Sequence, residues 1–330
     1  GNPGVPVVAD AILKDIKGFD SELAFKALKE SSMLPERGME YRIQYGFIPA
    51  DKMTEAIAYD MEYAIADWAV AQAARRLGKQ EDYTYFLERS KSYKNYFDAS
   101  TGFMRGKLSD GSWRTPFSPY ASAHRDDDYC EGNAWQYTWL VPQDVEGLVA
   151  CFGSKDAFVH KLDSLFLASG DMGEASSPDI SGLIGQYAHG NEPSHHITYL
   201  YTLVGQPWKT AERVKEILHT MYTDQPDGLS GNEDVGQMSA WYILSSFGFY
   251  QVEPAGGKFV FGYPNFEKVE IAVPGGQFVI KREDKGQKNC YIQGVLLNGK
   301  EYKKAWIDYA DIMKGGELTF LMGDKQTVWY

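Results

Sequence analysis

Amphipathic helix patterns come in consecutive pairs along most of this chain. In the longest pattern, apolar residues recur every three or four positions, which is the stripe of a helix with one buried face. The pattern stops at Leu77 and Gly78, where glycine can take the left-handed conformation that ends a helix. A second helical pattern then begins almost at once. The first stripe comprises Met53, Ile57, Met61, Ile65 and Trp68, and the second comprises Tyr83, Phe86, Leu87, Tyr93 and Phe97.

The same paired arrangement recurs through residues 5–250. Glycine ends one helix, and Asp, Ser or Pro begins the next. About nine helices follow, mostly as antiparallel hairpins. Hairpins in series are typical of an α/α toroid or a solenoid, and we favour the toroid because loops gathered at one end of a ring can build a site. The other predicted helices span 5–16, 22–28, 144–152, 157–167, 196–204, 210–221 and 237–247.

From residue 251 onward the pattern changes from helices to short strands separated by Gly and Pro turns. Turns such as Pro274-Gly275-Gly276 and Asn298-Gly299 are typical of hairpins. The sequence therefore predicts a mainly α domain over residues 1–250 and a small antiparallel β domain over 251–330. The predicted strands span 258–261, 269–273, 277–280, 290–292 and 318–321.

Composition and charge exclude several classes of protein. Of 330 residues, 44% are apolar and 14% aromatic, which is too apolar for a disordered chain. No stretch approaches the roughly 18 apolar residues of a membrane span. The net charge of −12 argues against nucleic acid and suits a neutral ligand or a bound cation. Cys130, Cys151 and Cys290 form no CxxC pair, so we interpret them as small buried residues.

The first of three long connections, residues 102–136, places acidic residues among Tyr and Trp. A carboxyl group beside aromatic rings loses solvation, which raises its pKa and lets it act as a general acid. Glu131 is the candidate for that role, and the alternative is a Glu favoured by the dipole at a helix N-terminus. The run from Asp126 to Asp128 is interpreted as a solvated or locally capping segment, because it lacks the glycine and terminal Glu of an EF-hand loop.

The other two connections also carry oxygen donors. Asn191 and Glu192 supply the hard oxygen ligands that suit Ca²⁺, although Glu192 could simply begin the next helix. In the third connection, glycines bracket Asn232, Glu233 and Asp234, and a carboxylate held there could activate water. The alternative is an ordinary Asp cap before Gln237. Paired carboxylates, aromatic rings and amides together are what a glycosidase uses.

Several of these stretches resemble glycoside hydrolase family 92, the calcium-dependent bacterial exo-α-mannosidases. The resemblance runs through essentially the whole chain, and the motifs occur in the family's order. It implies a six-hairpin (α/α)6 toroid preceded by a β-sandwich domain, and an inverting mechanism. The matching stretches are GFIPAD (46–51), EGNAWQY (131–137), GNEPSHH (190–196), QPWKT (206–210) and GNEDVGQMSAWY (231–242).

The resemblance also implies roles for individual residues. Glu131 matches the general acid and Asp234 the base, whereas Asn232 stands where some relatives carry a second Asp. Asn191 and Glu192 match the region that holds Ca²⁺ under the terminal mannose. In an inverting enzyme the two catalytic carboxyls lie about 6.5–9.5 Å apart, so that separation is expected here. The candidates for substrate binding are Trp135, His195, Glu233 and Gln237.

The chain is short for this family. The sandwich and about three helices are expected before Gly1, which would make this a C-terminal piece with an incomplete ring. We therefore expect weak or no activity from the chain alone, and either self-association or pairing with the missing domain. The expected substrate is a mannose-containing oligosaccharide or N-glycan, with α-1,2 linkages favoured, and the expected location is periplasmic or extracellular in a bacterium.

Two other functions are compatible with these residues. One is a sugar-binding fragment that no longer catalyses, which calcium-dependent mannose binding without hydrolysis would indicate. The other is a different toroid enzyme, such as a glucoamylase-like hydrolase or a disaccharide phosphorylase. A phosphorylase needs a phosphate site in place of the water base, and no basic cluster accompanies Asp234 in the sequence.

Overall fold

The computed structural model describes residues 1–284 and 291–330. Within them the chain forms two compact units, each continued by a segment from elsewhere in the sequence. The first unit comprises Gly1–Pro193 with Glu253–Gly256, and the second comprises Ser194–Val252 with Gly257–Tyr330. Cys290, which was interpreted from the sequence as a small buried residue, lies outside the described residues.

The first unit is mostly helical. Its longest helix, Ala56–Arg76, is rich in alanine and buried on several sides, so it forms the centre against which the first, second and fifth helices pack. The helices are α1 (Gly4–Leu13), α2 (Ser21–Ser31), α3 (Met39–Tyr45), α4 (Ala56–Arg76), α5 (Gln80–Arg89), α6 (Ala134–Tyr137), α7 (Val145–Cys151) and α8 (Lys155–Leu165), with short strands β1 (Phe97–Asp98), β2 (Phe103–Met104), β3 (Leu183–Ile184) and β4 (Tyr187–Ala188).

A buried ionic network fixes the segment 46–51 against α4. The Arg42 Nε lies 2.5 Å from an Asp60 oxygen, and Arg42 also pairs with Asp67. The other Asp60 oxygen accepts from the Ile48 amide at 3.1 Å and from the Tyr96 hydroxyl at 2.7 Å. Buried charges require such complete pairing, because an unpaired one would cost several kcal/mol.

Most predicted helices of this unit have a counterpart, but two helices were missed and one prediction was wrong. Helices α3 and α6 were not predicted, and the helix predicted over 83–97 ends at Arg89. A 3-10 turn, Ser92–Asn95, follows it instead. The Arg42 guanidinium donates to the Arg89 carbonyl at 2.9 Å, and the Ser92 hydroxyl donates to Asp60 at 2.9 Å, so contacts with distant residues hold the end of this helix.

The second unit combines helices with β-sheets. The predicted helix over 196–204 is a 3-10 turn, Ile197–Tyr199, followed by one turn of α-helix. The helices are α9 (Leu200–Leu203), α10 (Pro207–Thr220), α11 (Gln237–Phe247) and α12 (Tyr309–Met313). The strands are β5 (Phe249–Gln251), β6 (Lys258–Phe261), β7 (Lys268–Val273), β8 (Gly276–Asp284), β9 (Tyr291–Leu297), β10 (Lys300–Glu301), β11 (Trp306–Asp308) and β12 (Gly316–Gly323).

The strands form a five-stranded sheet and a three-stranded sheet over one apolar core. The larger sheet has the order β10-β9-β12-β8-β7, and the smaller has the order β11-β6-β5. The pairings are antiparallel, as predicted, except that β12 runs parallel to β8. Asn298 and Gly299 turn β9 into β10, both with positive φ, as that hairpin turn requires.

These elements confirm a mainly helical chain followed by a small β domain. The change from helix to strand falls between α11 and β5, close to the predicted residue 251, but α9–α11 belong to the same compact unit as the sheets. Among the described residues, no helix combines the length and the apolar character that crossing a membrane would require.

Candidate active site

The predicted site residues fall into two sets, one in each unit. Contacts within each unit hold the residues of that set. The distance between the carboxyl groups of Glu131 and Asp234, the candidate acid and base, stays a prediction. The first unit carries Glu131, Trp135, Asn191 and Glu192, and the second carries His195, Glu233, Asp234 and Gln237.

Glu131 is held by the side chain of Asn191. The Asn191 amide nitrogen donates to the Glu131 backbone oxygen at 3.1 Å and to its carboxylate Oε2 at 3.3 Å. The Glu131 backbone is left-handed, with φ of 54°, which is uncommon for a residue with a Cβ and is concentrated at functional sites. Glu131 is not the N-cap of a helix, since that position belongs to Asn133.

A capping box directly after Glu131 fixes this segment. The Asn133 side chain accepts from the Trp135 amide at 2.9 Å, and the Gln136 side chain accepts from the Asn133 amide at 2.7 Å. The side-chain nitrogen of Asn133 also donates to Gln186 Oε1 at 3.0 Å. Asn133 is fully buried, so these bonds replace the water that its polar atoms would otherwise bind.

Trp135 lies in an aromatic cluster rather than on an open surface. Its side chain is 6% exposed, and the Phe103 ring meets it edge-on at a centroid distance of 4.8 Å. The Lys161 ammonium lies 3.3 Å from the Phe103 centroid and 4.7 Å from that of Trp135. Burial lowers the pKa of Lys161 to about 8, and stacking of a sugar on the Trp135 ring would require rearrangement of this cluster.

The acidic run before Glu131 is only partly the solvated, capping segment that was predicted. The Asp127 carboxylate does cap locally, accepting from the Ala123 amide at 2.6 Å and the Tyr129 amide at 2.7 Å. Asp128 is buried instead and pairs with Arg114 at 3.0 Å. Burial outweighs that pairing and raises the pKa of Asp128 to about 6, because desolvation disfavours the charged form.

Two of the three cysteines lie in the described residues, and both are half-buried free thiols. Burial, a hydrogen bond to Glu55 and nearby carboxylates raise the pKa of Cys130 to about 12. The thiol next to Glu131 is therefore protonated at neutral pH and is a poor nucleophile.

In the second unit, Asp234 lies in a strained turn before α11. Asp234, Val235 and Gly236 are left-handed in succession, with φ of 48°, 58° and 90°. Gly236 is the N-cap, and the Asp234 carbonyl accepts from the Gln237 amide at 3.2 Å. The Asp234 side chain is exposed and makes no cap bond to α11, so it is not an ordinary capping Asp.

Glu233 is fixed by the first turn of α11. Its two carboxylate oxygens accept from the Ser239 amide at 3.0 Å and from the Ser239 hydroxyl at 2.8 Å. Carboxylates at a helix N-terminus are stabilised by the free amides and the dipole there. Because Glu233 immediately precedes Asp234, this anchor also restrains the backbone of Asp234.

His195 and Gln237 are bonded to each other in the second unit. The Gln237 amide nitrogen lies 3.0 Å from His195 Nδ1 and donates to the Tyr250 hydroxyl at 3.1 Å. These two contacts fix the orientation of the Gln237 amide and of the His195 ring. The Trp241 indole donates to the His195 carbonyl at 2.9 Å, and His195 is 2% exposed.

The predicted calcium ligands supply few side-chain oxygens. The Asn191 oxygen accepts from the Glu192 amide at 3.1 Å, and Glu192 lies in a 3-10 turn, Glu192–Ser194, as a helix-starting residue would. In the part of the chain that the structure describes, no three His, Cys, Asp or Glu side chains are grouped to hold a metal ion. Ca²⁺ takes six to eight oxygen ligands, so these two side chains fit only a site completed by backbone, water or sugar oxygens.

Sequence reasoning did not single out Ser239 and Tyr250, which hold Glu233 and Gln237. Ser239 could have been found, because the amides in the first turn of a helix are free to bond an acidic side chain just before it. Tyr250 comes from β5, after the helix has ended, and no local pattern in the sequence indicates that contact.

The chain matches the family model described as "Glycosyl hydrolase family 92 catalytic domain" over residues 1–324. It is similar to a family GH92 α-mannosidase from Bacteroides thetaiotaomicron in complex with mannoimidazole, with 40% identity, 98% of the chain covered and a TM-score of 0.92. A family GH92 inverting mannosidase from the same bacterium is 34% identical over 98% of the chain, with a TM-score of 0.85. These structures confirm the predicted fold class.

A curated relative, an uncharacterized secreted glycosidase from Arthroderma benhamiae, is 27% identical over 98% of the chain. The chain spans 43% and 46% of the two mannosidase chains and 45% of the secreted glycosidase.

Proposed function

Because the chain belongs to glycoside hydrolase family 92, as its motifs predicted, we propose that it carries the catalytic residues of an inverting exo-α-mannosidase. The substrate would be a terminal α-linked mannose, with α-1,2 linkages favoured, on an oligosaccharide or N-glycan. The two Bacteroides relatives are described as mannosidases, one of them inverting. The observation that carries the proposal is Glu131, held at its backbone and its carboxylate by Asn191.

In this proposal Glu131 is the general acid. It protonates the glycosidic oxygen as the bond from that oxygen to C1 of mannose breaks. Asp234 takes a proton from a water molecule that attacks C1 from the opposite face, which inverts the anomeric configuration. Glu131 ends deprotonated and Asp234 protonated, and exchange with solvent restores both groups.

The remaining predicted residues would bind and orient the sugar. His195, whose Nδ1 lies 3.0 Å from the Gln237 amide nitrogen, would help to hold Gln237 toward the sugar. Glu233 is anchored by Ser239 and keeps Asp234 in place. Such preorganisation matters because a misplacement of about 1 Å can cost about 100-fold in rate.

We also propose that Ca²⁺ binds beside Asn191 and Glu192. When bound, the ion would offset negative charge and accept sugar hydroxyl oxygens as ligands. The Asn191 side chain already donates to Glu131, so it would connect the cation site to the acid. The expected location, outside the cell or in a bacterial periplasm, is supported by the curated relative described as secreted.

Mannose release from α-1,2-mannobiose, with added Ca²⁺ and again with a chelator, tests the proposal directly. Because the chain spans less than half of the two mannosidase chains, we expect only weak release, which should depend on calcium and give β-mannose as the first product by NMR. Release of α-mannose first would contradict inversion. Calcium-dependent mannose binding without any release would instead favour a sugar-binding chain that no longer catalyses.

Paired substitutions separate the two carboxyl roles. Glu131→Gln should lower release from mannobiose by about 100- to 10,000-fold, but much less from an aryl mannoside whose leaving group needs no proton. Asp234→Asn should lower both rates similarly, because both reactions need the activated water. Glu88→Gln, an exposed residue on α5, is the control. Equal losses on both substrates for Glu131→Gln would remove it as the acid.

A further inference from the structure

A cavity of about 410 Å³ lies in the second unit. It is formed beside residues of α11 that are not buried in the core of that unit. Its size is within the range of about 300–1,000 Å³ that small-molecule sites occupy. Of the residues that line it, only Ser239 has a role above, as the anchor of Glu233. The cavity is lined by Tyr222, Thr223, Asp224, Leu229, Ser239, Tyr242 and Ile243.

Two tyrosine rings form the aromatic wall of this cavity. The rings of Tyr222 and Tyr242 are 4.9 Å apart at an angle of 46°. Tyr222 is held in place, because its other neighbour Trp241 stacks on it at 6.0 Å and 2°. Its hydroxyl also donates to the Met238 carbonyl at 3.2 Å. A fixed aromatic wall loses little entropy when a ligand binds.

The loop that completes the wall is also rigid. The Thr223 amide donates to the Gly228 carbonyl at 3.0 Å. A Cβ on Gly228 would lie 2.3 Å from the Thr223 carbonyl oxygen, so this turn closes only with glycine. Tyr222 and Leu229 are paired as a β-bridge across the same turn.

The polar groups at the cavity favour a neutral ligand rich in hydroxyls. One oxygen of the Asp224 carboxylate accepts from the side-chain amide of Gln225 at 2.7 Å. The negative charge of this carboxylate disfavours an anionic ligand. Ile243, which is 48% exposed, adds an apolar surface beside Tyr242. A hexose presents an apolar C–H face for aromatic rings and hydroxyls for a carboxylate, and so matches both features.

The cavity is continuous with the loop that carries the candidate base. Ser239 lines the cavity and also binds both oxygens of Glu233, the residue before Asp234.

We propose that this cavity is a secondary carbohydrate-binding site, which takes a hexose unit of a neutral oligosaccharide or polysaccharide. Only the choice of a mannan as the probe rests on the proposed function. The site would keep the chain on a polymeric substrate without taking part in hydrolysis.

Native electrophoresis in gels that contain graded amounts of a branched α-mannan tests the site. The chain with Asp234→Asn serves as the parent, so that the polymer is not trimmed during the run. Tyr242→Ala should require about five- to tenfold more mannan for the same retardation, as expected from loss of one aromatic contact. Tyr85→Ala, which removes an exposed tyrosine from α5, should leave retardation unchanged.

A second variant, Ile243→Gln, keeps the test informative if Tyr242→Ala fails to fold. It removes apolar surface from an exposed helix position and should weaken retardation in the same direction. With Asp234 present, Tyr242→Ala should release mannose from mannobiose at the normal rate. Retardation of both variants equal to the parent, or no retardation of the parent, would overturn the proposal. Retardation of the parent, together with no mannose release by the chain that carries Asp234, would contradict the proposed function alone.

Discussion

The backbone around Asp234 stores strain at a single exposed turn. Asp234, Val235 and Gly236 are all left-handed, a region that glycine adopts freely and a β-branched residue strongly resists. Val235 is fully exposed, so no burial of its side chain offsets that cost. Strain of about 1–3 kcal/mol persists at functional sites when the surrounding structure imposes it. Here the turn is fixed on one side by Glu233, which bonds Ser239, and on the other by Gly236, the N-cap of α11.

Replacing Val235 with asparagine should therefore stabilise the protein. Asparagine tolerates the left-handed conformation because its short side chain bonds locally. We expect Val235→Asn to raise the free energy of unfolding by about 1 kcal/mol, measured by urea denaturation. The mannosidase rate should stay close to normal, because the turn keeps its shape.

The matched control is Val7→Asn, an exposed valine in helix α1. Asparagine and valine have similar helix propensities, so this change should alter stability by only a few tenths of a kcal/mol. If Val235→Asn is no more stable than the unmodified chain, the turn is not strained in solution.

At the scale of elements, helix α6 is short but strongly fixed. Four residues cannot form a stable helix alone, so the capping box of Asn133 and Gln136 and the bond to Gln186 hold it. The segment carrying Glu131 therefore depends on side-chain bonds more than on helix propensity.

Asn133→Ala should destabilise the protein by about 2–4 kcal/mol, because it removes a cap and leaves buried partners unpaired. Thermal or urea denaturation measures the loss, and we expect the mannosidase rate to fall with it as Glu131 shifts. Ser154→Ala is the control, since Ser154 caps α8 with one exposed bond to the Ala157 amide. It should cost only about 1 kcal/mol. Equal costs for both changes would mean that the buried bonds of Asn133 add nothing.

The elements that could be predicted from sequence are those with strong local signals. The strand β6 matches its prediction, and α11 begins and ends where glycines bracket it. The errors occur where tertiary contacts decide. The predicted helix over 83–97 ends at Arg89, whose carbonyl accepts from Arg42, 47 residues away.

The same distinction holds for the candidate site. The motifs identified Glu131 and Asn191, but not that one side chain holds the other. Trp135 could be found as an aromatic in a motif, whereas its burial depends on Phe103 and Lys161 from other segments. A resemblance locates residues in the sequence, and only the fold establishes their contacts.

At the scale of the whole molecule, any ligand that binds only the folded chain stabilises all of it. A cation at about 100 times its dissociation constant adds about 2.7 kcal/mol. The net charge of −12 also attracts cations without a specific site. A rise in Tm with Ca²⁺ is therefore informative only against controls for charge.

We expect Ca²⁺ to raise the Tm of this chain by several degrees and a chelator to reverse the change. Mg²⁺ at equal concentration should have little effect, because it demands a tighter octahedral set of ligands. Glu192→Gln should abolish the calcium response. Glu30→Gln changes the net charge equally at an exposed residue of α2 and should preserve it. Equal responses of the two variants would show that Ca²⁺ acts through overall charge, and would remove Asn191 and Glu192 as its site.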